Sequence, residues 1–143
     1  MSFCNKKNRL RKMLADKRGR ISENRRSEAQ ESLLTQLYPQ LASYHCILSF
    51  CSFSHEIDTF SLNYRLASEN RLHLPKISGE NLQLFHVVSI KGQLALSSLN
   101  ILEPIAELCV PVSSETIDCV LVPALGFDQS KYRIGYGKGL LTA

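Results

Sequence analysis

The chain has 143 residues, 44% of them hydrophobic and 21% charged, with a net charge of +4. That is the mix of an ordinary globular protein, long enough to bury a core as one domain. No apolar run approaches the ~20 residues of a membrane span, and the cations near the N-terminus are not followed by the apolar stretch of a secretory signal, so a cytoplasmic protein is expected.

The positive charge is concentrated: ten of the seventeen Lys and Arg residues lie between Lys6 and Arg26. Such a patch attracts polyanions such as nucleic acid, anionic lipid or a nucleoside triphosphate, or it is a solvated helix face. Cys4, Cys46, Cys51, Cys109 and Cys119 show no CxxC spacing, and His45, His55, His73 and His86 are scattered. Reduced, mostly buried thiols are therefore expected, without a zinc site.

Residues 5–18 carry good helix formers, with Leu10, Met13 and Leu14 at helical spacing, and Gly19 ends the run. Ser22 is placed to cap a second helix reaching Leu37, striped by Ala29, Leu33, Leu34 and Leu37, which Tyr38-Pro39 should break or bend. The two read as an antiparallel N-terminal pair. Residues 46–53 form an apolar, nearly uncharged run and read as a buried strand. A helix capped by Asp58 or Thr59 should follow over 60–70, then a strand over 72–74 closed by Pro75. Strand, helix and strand in that order predict a right-handed parallel crossover. Residues 82–88 and 91–96 read as an antiparallel hairpin turning through Ser89-Ile90-Lys91-Gly92. Residues 101–114, with Pro104 and Pro111, read as irregular, and 117–122 as the clearest strand.

That last strand runs into Pro123-Ala124-Leu125-Gly126-Phe127-Asp128 and then Arg133-Ile134-Gly135-Tyr136-Gly137-Lys138-Gly139. Glycines allow backbone N–H groups to approach an anion, and Arg133 and Lys138 supply a planar fork and a mobile point charge. Phosphate is the expected guest. Two common phosphate loops are excluded by spacing: Lys138 is followed by Gly139 rather than Ser or Thr, and Leu140 stands where the dinucleotide fingerprint needs glycine. In open α/β sheets ligands gather beyond the carboxyl ends of strands, which brings together residues 54–58 and 123–139.

The two blocks resemble the signature of the 5-formyltetrahydrofolate cyclo-ligase (methenyltetrahydrofolate synthetase) family. Weaker matches keep the family's order: Lys7-Asn8-Arg9-Leu10-Arg11, Glu56-Ile57-Asp58-Thr59, Leu74-Pro75 and Leu102-Glu103-Pro104. The resemblance implies an open, mostly parallel α/β sheet flanked by helices, CoA-transferase-like, with the N-terminal helix pair. It also implies ATP-dependent closure of 5-formyltetrahydrofolate to 5,10-methenyltetrahydrofolate, with ATP and Mg²⁺ as cofactors and a reduced folate as substrate.

By position, Lys7, Arg11, Arg133, Ile134, Gly135, Tyr136, Gly137, Lys138 and Gly139 would hold ATP, and Arg133 and Lys138 would carry catalysis. Glu56 would hold the pterin ring, whose amino and ring N–H donors suit paired acceptors, and Tyr136 would border the folate. Without the resemblance, Glu56 reads as a dipole partner of the following helix and Arg11 as part of the basic patch. His55 reads as a loop histidine, and Asp128 as a brace for its own turn rather than a metal ligand.

The family's loop continues as Gly-Tyr-Tyr-Asp-Arg, its aspartate binding Mg²⁺, whereas here Leu140-Leu141-Thr142-Ala143 follows Gly139. No metal ligand is therefore expected within the chain. The expectation is a frame shortened after Gly139, lacking the C-terminal part of the fold and impaired in turnover. Two further readings compete: a remnant that binds nucleotide or folate without turnover, and a basic nucleic-acid-associated protein. Against the latter, aromatic residues are not interleaved with the cations as single-strand binding requires. A monomer acting on small molecules, away from membranes, is the preferred reading.

Overall fold

The computed structural model describes residues 2–136. The first helix, α1 (Phe3–Gly19), starts where the Ser2 side chain accepts from the Asn5 amide and carries Lys17 and Arg18 in its last turn, complementing its dipole. Ser22 caps α2 (Glu23–Ser32), as its spacing predicts. The helix does not break at Tyr38-Pro39. It widens into a π turn over Leu33–Leu37, closed from the Tyr38 N–H to the Leu33 carbonyl, and continues as α3 (Tyr38–Gln40). A proline lacks the N–H and clashes with the carbonyl four residues back, and the wider turn absorbs both defects. Leu33, Leu34, Leu37 and Tyr38 pack on the core. The first helix instead lies along the C-terminal segment, where Leu14 Cδ1 sits so close to Gly126 that a Cβ there would stand 2.9 Å away.

The central sheet has five strands, in the order Val110–Val112 (β6), Asn81–His86 (β3), Leu72–Ser78 (β2), Ile47–Leu48 (β1) and Cys119–Val120 (β7). Strand β1 (Ile47–Leu48) is parallel to β2 (Leu72–Ser78) on one side and to β7 (Cys119–Val120) on the other. The crossover between β1 and β2 carries α4 (Phe60–Ser68), which buries Leu62, Leu66 and Ala67. Ile47, Leu66, Leu72 and Val87 are wholly inaccessible, and each such side chain contributes about 2 kcal/mol of apolar burial. The open α/β sheet with flanking helices matches the expectation. Its two parallel pairings lie at one end, and β2–β3 and β3–β6 are antiparallel.

Both apolar runs make shorter strands than their hydrophobicity suggests. The backbone leaves β1 at Ser49 because the Phe50 carbonyl accepts from the Thr59 hydroxyl (2.7 Å) and the Asn63 amide (2.9 Å) instead of a neighbouring strand. Beyond β7 the Leu121 amide still reaches the Leu48 carbonyl at 2.8 Å, but Pro123 then has no donor to offer. Conversely, β2 runs through Pro75. Arg71 and His73 carbonyls accept from β1, so alternation turns Pro75 to the side where β1 has already ended and no N–H is needed.

The hairpin of the middle section turns elsewhere than 89–92. Strand β2 returns through Gly79, at φ 63°, into β3 (Asn81–His86). Ser89 caps a short helix α5 (Ile90–Gln93), and β4 (Leu94–Leu96) pairs with β5 (Leu102–Pro104). Residues 101–114 are not irregular throughout, since β6 (Val110–Val112) follows β5 and pairs with β3. A last hairpin joins β8 (Gly126–Phe127) to β9 (Arg133–Ile134). The thiols are all free, but only Cys109 is fully buried: Cys46, Cys51 and Cys119 are half-buried and Cys4 is exposed, which corrects the expectation of mostly buried thiols. No helix of the described residues is long and apolar enough to cross a membrane.

Candidate functional site

A cavity of about 940 Å³ opens beyond the carboxyl ends of the parallel strands, between α1, the residues after β1 and the β8–β9 hairpin. Its floor is apolar, with Leu48, Leu74, Ile77 and Leu121 among the lining side chains. Lys6, Lys7, Arg11 and Arg133 bring positive charge to one side of it.

The charged side is built by α1 and β9 together. Arg11 Nε donates to the Gly135 carbonyl at 2.9 Å, while its Nη1 is held by the Asn8 side chain at 2.9 Å. Arg133 follows the β8–β9 pairing, in register with Phe127, and its Nη1 lies 3.1 Å from where a Gly135 Cβ would stand. Two arginines from different elements thus each lie against Gly135, Arg11 on its carbonyl and Arg133 beside its Cα, with Arg133 Nη1 also donating to the Pro123 carbonyl at 3.5 Å. Lys7 projects from the same helix with its Nζ 4.8 Å from the centre of the Phe3 ring. Ile134 accepts the Leu125 amide at 2.8 Å and fixes the hairpin's far strand. Asp128 braces the turn as expected, its Oδ1 accepting the Tyr132 amide at 2.9 Å. Gly137, Lys138 and Gly139 lie outside the described residues, as does the divergent Leu140-Leu141-Thr142-Ala143.

Glu56 sits on the segment after β1, half-buried, with its Oε1 accepting the Phe53 amide at 2.7 Å. A buried polar network positions this segment. Ser49 donates to Asn63 Oδ1 (2.6 Å), Asn63 donates to Phe50 and Thr59, and the Thr59 amide bonds Ser52 Oγ (2.8 Å). Thr59 precedes α4 without capping it through its hydroxyl, and Asp58 Oδ1 accepts the Phe60 amide instead.

Tyr136 brings the two loops together. Its hydroxyl receives a hydrogen bond from Arg18 Nη1 at 3.0 Å and lies near enough to Glu56 for each to perturb the other's titration. Burial raises the Glu56 carboxyl above its ordinary range, against the lowering pull of the Phe53 amide, the Tyr136 hydroxyl and the Arg18 charge. Burial likewise raises the Tyr136 hydroxyl, and the Glu56 charge adds to it. The segments 54–58 and 123–136 therefore do converge.

Arg18 is a residue that motif reasoning passed over. It donates to the carbonyls of Ala124 and Leu125 as well as to Tyr136. A signal was present: Lys7, Arg11, Leu14 and Arg18 recur at spacings of four, three and four, one face of a helix. His55 stays a loop residue whose carbonyl accepts from Arg26.

Among the described residues no three His, Cys, Asp or Glu side chains gather to hold a metal ion. The two carboxylates on the cavity lining are engaged, Asp128 with its own turn and Glu103 with Lys76 at 3.3 Å. These residues do not form a magnesium site by themselves. A Mg²⁺ ion that arrives on a nucleotide takes its ligands from phosphates and water.

The description of the 5-formyltetrahydrofolate cyclo-ligase family matches residues 4–141. The 5-formyltetrahydrofolate cyclo-ligase of Escherichia coli (strain K12) is 27% identical over 133 residues, spanning 89% of this chain and 72% of its own length. That of Mycoplasma pneumoniae is 25% identical over 138 residues, 93% of this chain and 73% of its own. The 5,10-methenyltetrahydrofolate synthetase of Aquifex aeolicus, solved by NMR, superposes with a TM-score of 0.84 at 30% identity, over 95% of this chain and 70% of that one. The synthetase from Mycoplasma pneumoniae shares the fold, with a TM-score of 0.70 at 21% identity over 94% and 74%. Matched along nearly all of its length, the chain belongs to the 5-formyltetrahydrofolate cyclo-ligase family.

Proposed function

We propose that this chain binds ATP and 5-formyltetrahydrofolate in the cavity and closes the latter to 5,10-methenyltetrahydrofolate, releasing ADP and phosphate. The observation that carries the reading is that Arg11 and Arg133 both lie against Gly135 on the lining of one cavity of about 940 Å³. Membership of the family supports the reaction.

The formyl oxygen attacks the γ-phosphorus, forming a C–O–P linkage as the bond to ADP breaks. N10 then attacks the activated carbon, loses its proton, and phosphate departs with the C–O electron pair to leave the methenyl bridge. Phosphoryl transfer is accelerated by positioning and by neutralising charge on the equatorial oxygens. Arg11, Arg133 and Lys7 supply that charge in this reading, with Lys138 joining them from the glycine loop. Glu56 stands outside the cavity lining, so in this reading the pterin extends past Tyr136, which is on the lining, and ionised Glu56 accepts its amino and ring N–H donors. Magnesium, carried by the nucleotide, adds charge neutralisation when bound.

The test is incubation of the purified protein with ATP, Mg²⁺ and 5-formyltetrahydrofolate, followed by the absorbance of methenyltetrahydrofolate. Product that disappears in Arg133→Gln and Lys138→Gln is the expected result. Ligand-induced thermal stabilisation without product assigns binding alone. A thermal shift produced only by DNA or RNA overturns the reading.

A further inference from the structure

We propose that Arg18 is a positioning residue that locks the Glu56 segment and the 123–136 segment into one geometry, so that the two ligand sites form together. The proposal rests on the reading above for which ligands occupy them, and on the contacts of α1 for the lock itself.

Arg18 sits near the end of α1, with its guanidinium against the 123–136 segment. Nη2 donates to the carbonyls of Ala124 and Leu125, and Nη1 donates to the Tyr136 hydroxyl. Its charge also acts on the Glu56 carboxylate, near which the same hydroxyl stands. A single side chain thus binds both the start of the β8–β9 hairpin and its far end, while Arg26 ties the Arg18 backbone to the segment after β1. Guanidinium is suited to this task because it keeps its charge and presents donors in a rigid fork. A lysine would keep the charge but could not span the same acceptors.

Arg18 is itself held from behind. Arg26 Nη2 donates to the Arg18 carbonyl at 2.6 Å, and Arg26 Nη1 donates to the His55 carbonyl at 3.2 Å, next to Glu56. The two arginines therefore tie the N-terminal helices to both segments by separate routes. The lock acts at the far end of α1 from Lys7, roughly 16 Å away at the helical rise of 1.5 Å per residue. Arg18 therefore touches neither the phosphate side nor the reacting atoms in this reading. Its effect is to fix Tyr136 beside the Glu56 segment and, through the same backbone, to set where Gly135 and Arg133 stand.

Two measurements on the full chain test the proposal. Hydrogen exchange without ligands judges the lock alone. Arg18→Gln should lose protection in 50–59 and 123–136 together, with β2 and β3 unchanged, and Arg18→Lys should fail to restore it because the fork is gone. Unchanged exchange in either segment overturns the lock, whatever the protein binds. Steady-state kinetics then judges the consequence. Arg18→Gln should raise KM for both ATP and the folate about tenfold, the scale of lost hydrogen bonds from a charged donor. Arg18→Lys, which keeps the charge near Glu56, should recover part of the folate effect and none of the ATP effect. A rise in only one KM, or full rescue by lysine, refutes the coupling. A wild-type protein that binds neither ligand sinks the assignment of ligands, while the exchange result still decides the lock.

Discussion

Thr59→Val is the cleanest probe of how the Glu56 segment is held, because it deletes a hydroxyl and keeps the shape. Thr59 is 2% exposed, and its Oγ1 donates to the Phe50 carbonyl at 2.7 Å and accepts from Asn63 Nδ2 at 3.3 Å. Every partner keeps another bond: Asn63 Nδ2 also donates to the Phe50 carbonyl at 2.9 Å, and Ser52 Oγ, 3.1 Å from Thr59 Oγ1, keeps the Ile57 carbonyl and the Thr59 amide. The cost is therefore that of lost hydrogen bonds without an orphan, about 1–2 kcal/mol. Asn63→Leu differs in kind: it strands the Ser49 hydroxyl, on a residue 2% exposed, as well as removing the bonds to Phe50 and Thr59. A stranded buried donor adds about 1–3 kcal/mol, bringing the total to about 3–5 kcal/mol.

For a chain of this length each kcal/mol moves Tm by about 3–4 °C. Calorimetry should therefore show a fall of about 5 °C for Thr59→Val and at least twice that for Asn63→Leu. The folate KM should rise severalfold in Thr59→Val while the ATP KM stays put, because the network holds the segment that carries Glu56, through Ser52 and the Ile57 carbonyl, and has no link to Gly135. Equal Tm losses in the two variants, or an ATP KM that moves with the folate KM, would refute the reasoning.

Glu56→Gln should raise Tm at pH 7 while weakening folate binding. Burial raises the carboxyl in the folded state, so its stabilising contribution is complete when protonated at low pH and is lost as pH rises through the folded value. The stability gain of the variant should accordingly vanish near pH 4, as thermal melts across pH would show. Gly135→Ala places a Cβ 3.1 Å from Arg133 Nη1 and should raise the ATP KM with little change in Tm. Native alkylation at pH 8 should spare Cys51, whose thiol burial pushes up to about 11, and label the exposed Cys4; mass spectrometry reads the sites.

What the sequence made legible was local. Ser22 caps α2 because the Ser side chain reaches its own helix start, and the parallel crossover follows from two apolar runs flanking an amphipathic helix. The pairing of β3 with β6, and of β4 with β5, joins runs whose partners no local pattern specifies. The hairpin turn was misplaced because Ser89-Ile90-Lys91-Gly92 and Ser78-Gly79-Glu80 both offer glycine. Only the second is used as a left-handed turn, while Ser89 Oγ accepts the Gly92 amide and starts a helical turn. Within the site, Glu56 and Arg133 stand in motifs, whereas Arg18 shows only in its helical spacing from Lys7, Arg11 and Leu14, because the carbonyls it bonds leave no trace in residue identity.

The prolines show most directly why breaker signals fail. Pro39, Pro75 and Pro111 each suggested an interruption, and each lies inside a helix or strand. A proline removes one N–H, so the damage depends on whether that position had an acceptor to serve. Pro39 follows a widened turn; Pro75 faces the side that β1 has vacated; Pro111 lies on β6, at the sheet's edge. Pro75 carries a functional consequence, because continuing β2 past the end of β1 puts Leu74, Pro75 and Ile77 on the cavity lining. Had β2 stopped at Pro75, as the sequence suggested, that wall of the site would be missing. The residue that reads as a strand terminator is thus where the sheet opens to form the cavity.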